Sequence, residues 1–439
     1  GGICMERTHT RDIKPEMDGE EVSVAGWAHE IRDLGGITFV ILRDREGRIQ
    51  ATFKEDADEE LFEKVQELGK EDCIRVTGVV EENEQVPGDR ELQPTNLEVL
   101  GHAERPLPME VSKDIDSDLS TRLDARFIDL RKPEVHAVFS LRSHIVEAME
   151  EYFEENGYIR IQTPTIAKMG AEGGAELFPV IYYGDEAFLS QSPQLYKQML
   201  MAAGFDKVYE TGKAFRAEEF ATSRHVSETS MFDVELSFIE DQHDVMDVLE
   251  DSLRHVLNEL QGRAREELDE LGIQLEVPDE DFPRISFEEA RTILEEEYDH
   301  VPDDPEDLDT EGEKLLGEHF EDKGHPAVFV VGYPGEKFYY GEAREEDEYS
   351  SRRFDLIYRG LELSSGGQRE HDLDRLMNAV EEEGIDKEDI SFYLESFKFG
   401  MPPHGGYAVG LDRLVKQIAG LDNVQEGILF PRTPDRLEP

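Results

Sequence analysis

The chain has 439 residues, with 103 Asp and Glu against 46 Lys and Arg, a formal net charge of -57 and 38% hydrophobic residues. That length predicts two or more domains, and acidic residues interleave with periodic apolar segments, which excludes a disordered acidic chain. The charge points to a folded protein adapted to high salt, where a Debye length of roughly 3 Å at molar ionic strength screens self-repulsion and lets anionic partners approach.

Two cysteines, Cys4 and Cys73, make no disulfide framework, and no secretion signal is recognisable. No apolar run has membrane-spanning length, so a cytoplasmic protein without membrane association is expected. The "GGIC" before Met5 reads as sequence outside the natural start.

Five strands are predicted first: "VSVAGW" (22–27), "GITFVILRD" (36–44), "RIQATF" (48–53), "CIRVTGVV" (73–80) and "NLEVL" (96–100). "DREG" (44–47) turns the second into the third. A helix over 58–68, with Leu61, Val65 and Leu68 on one face, separates the third from the fourth. This order is that of an OB-fold β-barrel, which binds single-stranded nucleic acid, and residues 1–104 are assigned to it. The polar stretches "ERPLP" and "SKDIDSD" make 105–134 a hinge. Beyond it, Val138, Leu141, Ile145, Met149 and Tyr152 recur at helical spacing, predicting a long amphipathic helix that stops at Asn156-Gly157. The remainder of the second domain, 135–439, mixes β-rich runs such as "HPAVFVVGY" with helices, an α+β pattern. Residues 240–322 are acidic and helical and read as an insertion.

No GxxxxGK[ST] loop is present, so a P-loop nucleotide site is excluded. Three other segments carry groups that anions require. "GYIRIQTPTI" (157–166) alone is a helix-turn-strand. "FRAEEFATSRH" (215–225) places an arginine beside glutamates, either a phosphate or carboxylate clamp or a surface ion pair. "GGYAVGLDRLV" (405–415) lets backbone approach a ligand where a helix begins, or is a buried strand-to-helix corner.

In this order the three segments resemble motifs 1, 2 and 3 of the class II aminoacyl-tRNA synthetases. The barrel in front narrows the likeness to the aspartyl, asparaginyl and lysyl subgroup. "GAEGGAELF" (170–178), "QSPQLYKQ" (191–198), "FDLIYRGLELSSGGQREH" (354–371) and "GMPPHGGYAVGLDRL" (400–414) are similar to archaeal-type aspartyl-tRNA synthetases, and the likeness runs from about Arg7 to the final "FPRTP".

The resemblance implies an OB-fold anticodon-binding domain and a catalytic domain with an antiparallel sheet flanked by helices. It implies ATP-dependent attachment of L-aspartate to tRNA(Asp), and also tRNA(Asn), through an aspartyl-adenylate. Lys197 and Arg369 would surround the substrate side chain, and two cations there suit a carboxylate better than an amide. The chain has only sixteen lysines, so a lysine at 197 carries weight. Glu172 and Asp233 would take the ammonium group, with Gln194 and Ser365 adding neutral bonds. Arg216 would bridge the α-phosphate and the α-carboxylate, and Glu218, beside Ala217, would face the adenine. Arg224 and His225, followed by Val226, would reach the γ-phosphate or the tRNA acceptor end. Arg413 would cover the adenine or γ-phosphate, with Gly410, Leu411 and Asp412 shaping the ATP pocket. Asp355, Glu362 and Ser365 offer hard oxygen ligands for Mg2+. "SETS" puts Thr229 where many bacterial and eukaryotic relatives stack an aromatic on adenine, which leaves that face unassigned.

In the barrel, Phe39 resembles the family's base-stacking aromatic, with Arg32 and Gln50 as anticodon contacts. "GWAHE" and "NEQVPGD" place His29 and Pro87 where members strict for tRNA(Asp) carry tryptophan and lysine, which implies relaxed tRNA choice. A homodimer is implied through the motif 1 helix and Pro164. Two alternatives are an asparaginyl-tRNA synthetase, which Lys197 disfavours, and a non-catalytic RNA-binding paralogue, which would be expected to lose Arg216, Glu362 or Arg413.

Overall fold

A computed structural model describes residues 6–112, 117–168, 170, 177–218, 220–334, 338–342 and 351–439. The chain forms two units, 1–136 and 137–439.

In the first unit β1 (Glu21–Asp33), β2 (Ile37–Arg43), β3 (Arg48–Lys54), β4 (Cys73–Glu82) and β5 (Arg90–Gly101) close a barrel in the order β1-β2-β3-β5-β4. Period-2 alternation fills it: Val22, Val24, Val40, Leu42, Ile74 and Val76 point inward. Helix α1 (Glu59–Gln66) starts where the Asp58 side chain accepts from the Leu61 N–H, and buries Leu61 and Val65. Two strands outrun their sequence signals. β1 continues past residue 27 through a register shift between Ala28 and Glu30. β5 begins before Pro94, which sits at another shift opposite Gly78, where the missing N–H does no harm.

The stretch expected to be a hinge is pinned to the barrel over its described part. Asp72 accepts from the Ala103 N–H (2.8 Å) and from Arg105 (2.7 Å), and Lys70 pairs with Glu110 (2.6 Å). Met109, Val111, Ala125 and Ile128 form a small core of their own, which draws on α2 (Leu119–Asp124) and α3 (Arg126–Asp129). Next to Asp72, the buried Glu71 binds Arg43 (2.8 Å) and Arg131 (2.9 Å) and lies 3.2 Å from His29 Nδ1.

The long helix α4 (Pro133–Glu155) turns off at Gly157, whose φ of 76° suits glycine. Its Leu141, Ile145, Met149 and Phe153 are fully buried against the second unit's sheet. In chain order follow β6 (Ile159–Arg160), β7 (Ile166–Ala167), β8 (Pro179–Tyr182), β9 (Asp185–Leu189), α5 (Gln194–Ala202), β10 (Lys207–Phe215) and β11 (Glu228–Ser237). Then come α6 (Gln242–Arg263), α7 (Arg265–Leu271), β12 (Arg284–Ser286), α8 (Phe287–Tyr298), α9 (Thr310–Glu321) and β13 (Ala327–Val331). The chain finishes with β14 (Arg353–Tyr358), β15 (Leu361–Arg369), α10 (Leu373–Glu382), α11 (Ser391–Phe397), β16 (His404–Gly410) and α12 (Leu411–Ala419). Eight strands form one sheet in the order β12-β13-β14-β15-β16-β11-β10-β6, antiparallel except at its two outer pairs, and β7-β9-β8 form a small second sheet.

The acidic stretch 240–322 is helical, but it is woven into the core. Val245, Met246, Leu249, Leu253 and Val256 of α6 pack in the main cluster, and β12 joins the sheet. Most of its carboxylates lie outward while every third or fourth residue is apolar, and Glu250 and Glu313 are the buried exceptions among its glutamates.

Burial alone pushes the Glu71 carboxyl up, but the ion pairs with Arg43 and Arg131 outweigh it and hold it down at about 2. The folded form therefore binds its proton more weakly than the unfolded chain, whose value is near 4.5. This contribution is complete above pH 4.5 and disappears as pH falls towards 2. Glu71→Gln is expected to lower unfolding free energy by about 3 kcal/mol at neutral pH. Chemical denaturation of both proteins should show that gap narrowing below pH 4.5; a gap independent of pH would contradict the assignment.

Candidate active site

One face of the large sheet carries a cavity of about 370 Å³. β11, β15 and β16 are neighbours, with Asp233 paired to Ala408 and Ala408 to Ser365, so the pleat aims alternate side chains of three strands at the same space. Gly406 on β16 is required there, because a Cβ would collide with the Val234 carbonyl and the Glu235 carboxylate.

At one end of the cavity lie Gln194, Asp233, Ser365 and Arg369. Arg369 donates to Glu235 through Nε (3.2 Å), to the Gly406 carbonyl (3.0 Å) and, weakly, to Gln194 Oε1 (3.4 Å). Gln194, which lines the cavity, is 4% exposed, and its buried Nε2 has no hydrogen-bond partner. Lys197, expected beside the substrate side chain, adjoins this end of the cavity through Asp233. It is fully buried behind this wall, with Nζ 3.1 Å from Asp233 and 3.5 Å from Glu235. A cation so deeply buried is costly to desolvate unless carboxylates pair with it. Glu235, wholly buried between two cations, is the residue the sequence reading missed. Burial pushes its carboxyl up, and Arg369 and Lys197 outweigh that, holding it below the ordinary value.

Arg216, Glu218, Arg224, His225, Glu362 and Arg413 line the other end. Arg413 Nη1 donates to the Glu362 carbonyl (2.7 Å), and Nη2 to His225 Nε2 (3.2 Å). Burial, and then Arg413, Arg224 and Arg216, push His225 down to about 4, so it is a neutral acceptor here. Arg224 gives both terminal nitrogens to Glu313 of α9 (2.8 and 3.0 Å). Glu313 was not legible, since it lies in the stretch read as an insertion.

Gly410 lines the cavity where α12 begins. Asp412 holds that corner: it accepts from Arg142 of α4 (2.7 Å), from Thr229 Oγ1 (2.9 Å) and from the Ser230 N–H (2.8 Å). Thr229 is thus tied to Asp412. Leu411 packs in the core away from the cavity, Ala217 is half-buried beside it, and Val226 reaches its wall from a cluster with Val424 and Ile428. Between the two ends, Asp355 faces Ser365 across the β14–β15 pairing; its Oδ2 accepts from Arg353 (2.7 Å) and its buried Oδ1 has no partner. Glu172 lies outside the described residues.

A model of class II tRNA synthetases for aspartate, lysine and asparagine matches residues 118–434, and an OB-fold nucleic acid binding domain matches 22–100. The aspartate–tRNA(Asp/Asn) ligase of Methanopyrus kandleri is 48% identical over 99% of this chain and 100% of its own. The aspartate–tRNA(Asp) ligase of Thermococcus kodakarensis is 46% identical with the same coverage. Among solved structures, asparaginyl-tRNA synthetase from Pyrococcus horikoshii with asparaginyl-adenylate aligns at a TM-score of 0.90 and 32% identity, covering 99% of this chain and 100% of that one. The chain belongs to the aspartate–tRNA ligase family of class II aminoacyl-tRNA synthetases.

The synthetase's barrel presents a second candidate surface. Phe39 is half-exposed between buried Thr38 and Val40, so it points outward, paired across the strands with exposed Arg32 and with Thr52. Gln50, two residues from Thr52, shares that face and donates to Glu91 (2.8 Å). His29 is not an open ring. It is 8% exposed at the β1 register shift, with Nδ1 2.8 Å from Arg43 Nη1. The 3.2 Å approach of the same nitrogen to Glu71 would require it to donate instead. Guanidinium has no acceptor, and its contact is the shorter, so Nδ1 accepts and Nε2 carries the proton. A cavity lined by His29, Glu30, Arg32, Arg48 and Lys70 adjoins it, in which Arg32 pairs with Glu30 (2.8 Å) and Lys70 with Glu110 (2.6 Å). Pro87 is exposed in the β4–β5 loop, where its carbonyl accepts from Arg90 (3.2 Å).

Glu235→Gln removes one carboxylate from between two buried cations. It is expected to cost about 3–5 kcal/mol of unfolding free energy in molar KCl, because breaking a buried pair leaves charge uncompensated. A denaturation midpoint equal to that of the parent would show that Glu235 is not their counterion.

Proposed function

We propose that the synthetase activates L-aspartate with ATP to aspartyl-adenylate and transfers it to tRNA(Asp) and to tRNA(Asn). The observation that carries the aspartate choice is Arg369 at the cavity wall, backed by Glu235 and Lys197. Its present acceptors in the wall include two neutral oxygens, and a ligand carboxylate makes a charge-assisted bond with it that an asparagine amide does not. Asp233 accepts the ammonium group, and the Gln194 Nε2 donor meets a carboxylate oxygen.

A carboxylate oxygen of aspartate attacks the α-phosphorus in line and pyrophosphate leaves. A ribose hydroxyl at the tRNA 3′ end then attacks the adenylate carbonyl, and AMP leaves. The chain contributes orientation and charge: Arg216 holds the reacting α-phosphate and α-carboxylate together, while Arg413 and Arg224 neutralise the departing phosphates. The start of α12 at Gly410 adds a positive dipole end.

Asp355 and Glu362, with Ser365, would hold Mg2+. The unpartnered Asp355 Oδ1 in the cavity wall suits a hard cation. Among the described residues no three acidic, histidine or cysteine groups converge on one point, so phosphate oxygens would complete the coordination. The metal supplies charge neutralisation on the triphosphate.

For tRNA choice, the geometry of His29 supports tolerance. With Nδ1 occupied, the ring offers a single donor, and cytosine and uracil, the differing third anticodon bases, both present a 2-carbonyl to accept it. Stacking on Phe39 is worth about 1–3 kcal/mol per base and survives high salt. A homodimer is also proposed, on the exposed apolar residues Ile159 of the edge strand β6, Ile166, Ile181 and Tyr182, near exposed Pro164. The surplus of carboxylates supports a cytoplasm of high salt as its setting, and no described helix is long and apolar enough to cross a membrane.

ATP–pyrophosphate exchange across the amino acids in molar KCl should respond to aspartate alone, and Arg369→Ala should abolish it with the fold intact. Retained aspartate exchange in that variant would remove the pocket assignment. Glu362→Gln should impair exchange at limiting Mg2+ and recover in part as Mg2+ rises; indifference to Mg2+ would place the metal elsewhere. Transcripts of both tRNAs should be aspartylated with efficiencies within about tenfold of each other, and a thousandfold deficit for tRNA(Asn) would contradict relaxed choice.

A further inference from the structure

Glu313 stands apart from the residues that the sequence motifs supply. It lies in the first turn of α9, a helix started by Asp309, whose side chain accepts from the Gly312 N–H (2.7 Å). Glu313 is 4% exposed, and its two oxygens are divided between separate elements. Oε1 and Oε2 each take one terminal nitrogen of Arg224, on the loop after β10, and Oε2 also accepts the backbone N–H of Glu362 on β15 (2.9 Å). Burial, resisted by Arg224 and reinforced by Glu362, pushes the Glu313 carboxyl above its ordinary value. Arg224 is left with a buried Nε that has no hydrogen-bond partner.

We propose that Glu313 is a positioning residue for nucleotide: it grips Arg224 from behind by both terminal nitrogens and fixes the guanidinium charge in the cavity wall, where it faces the phosphates of ATP. Both Glu313 and Arg224 line the cavity at the end where Arg216, Arg413 and the neutral His225 converge, away from Asp233 and Arg369. A loop arginine left to itself samples many rotamers, and fixing it beforehand reduces the ordering cost at binding. Glu313 does the fixing through a fork geometry that a neutral side chain does not reproduce. The same carboxylate anchors the backbone of Glu362, so α9 sets the spacing of an arginine and a carboxylate that face the same phosphates. The acidic stretch 240–322 thereby contributes to catalysis as well as to the core.

This inference rests on the proposed reading of ATP as substrate. It is tested by aspartate-dependent ATP–pyrophosphate exchange with the full chain in molar KCl, comparing the parent, Glu313→Gln, Arg224→Ala and the double variant. Absence of exchange in the parent would count against the proposed function itself. With the parent active, Glu313→Gln is expected to raise KM for ATP by about tenfold while KM for aspartate stays within about twofold. Because Glu313 acts through Arg224, the double variant should be no worse than Arg224→Ala alone. An unchanged KM for ATP, or losses that multiply in the double variant, would overturn the proposal. Should Glu313→Gln fail to fold, Glu313→Asp keeps the charge and shortens the reach. A raised KM for ATP in it supports the proposal, and an unchanged one overturns it.

Discussion

Arginines facing a cavity are costly to desolvate, and here carboxylates from other strands and helices offset that cost. Glu235 on β11 holds Arg369 of β15 and, 3.5 Å away, Lys197 of α5. Glu313 on α9 holds Arg224. Asp355 holds Arg353, and Asp412 holds Arg142. Cations buried without such partners would be left uncompensated or turn out to solvent. Held this way they stay charged and oriented before any ligand arrives, which is what a site for a triphosphate and a dicarboxylic amino acid requires. The antiparallel sheet is what makes the pairing possible, because β11, β15 and β16 bring side chains from distant positions into register.

The same side-chain chemistry serves two ends in this protein, and burial separates them. Exposed carboxylates are solvated and, at high salt, screened from one another. Buried ones, such as Glu71 between Arg43 and Arg131, tie segments together and order neighbouring groups. Arg43, held by Glu71, also lies 2.8 Å from Nδ1 of His29, so a stabilising ion pair on the barrel orders that ring. At high salt phosphate attraction weakens, while stacking on aromatic side chains is little affected.

Much of the fold was legible because it follows from periodicity. The five barrel strands and α1 come from alternation and turn chemistry, and α4 from its spaced apolar residues. Strand extensions were hidden where a register shift absorbs an unfavourable residue, as at His29 and Pro94. Polar composition did not reveal that, in the stretch expected to be a hinge, Arg105 and Arg131 bind Asp72 and Glu71. Helical acidic segments look alike whether they are surface additions or, like α6, amphipathic members of the core. Site residues on the three motifs were readable by type and order. Glu235, Glu313 and Arg353 were not, since an isolated charged residue in an acidic chain carries no signal until tertiary packing buries it. Lys197 shows the converse: its identity was informative, yet its place behind Asp233 and Glu235 depends on packing alone.

The central claim, that carboxylates hold the cavity's arginines in working positions before substrate binds, is tested most directly by two crystal structures of this synthetase. One would be unliganded and the other would contain aspartate with a non-reactive ATP analogue. The account predicts that the Arg369–Glu235 and Arg224–Glu313 pairs persist in both, with guanidinium shifts below about 1 Å, as in pre-organised sites. Pairs that are absent in the unliganded crystal and form only with substrate, or that break as substrate enters, would contradict it.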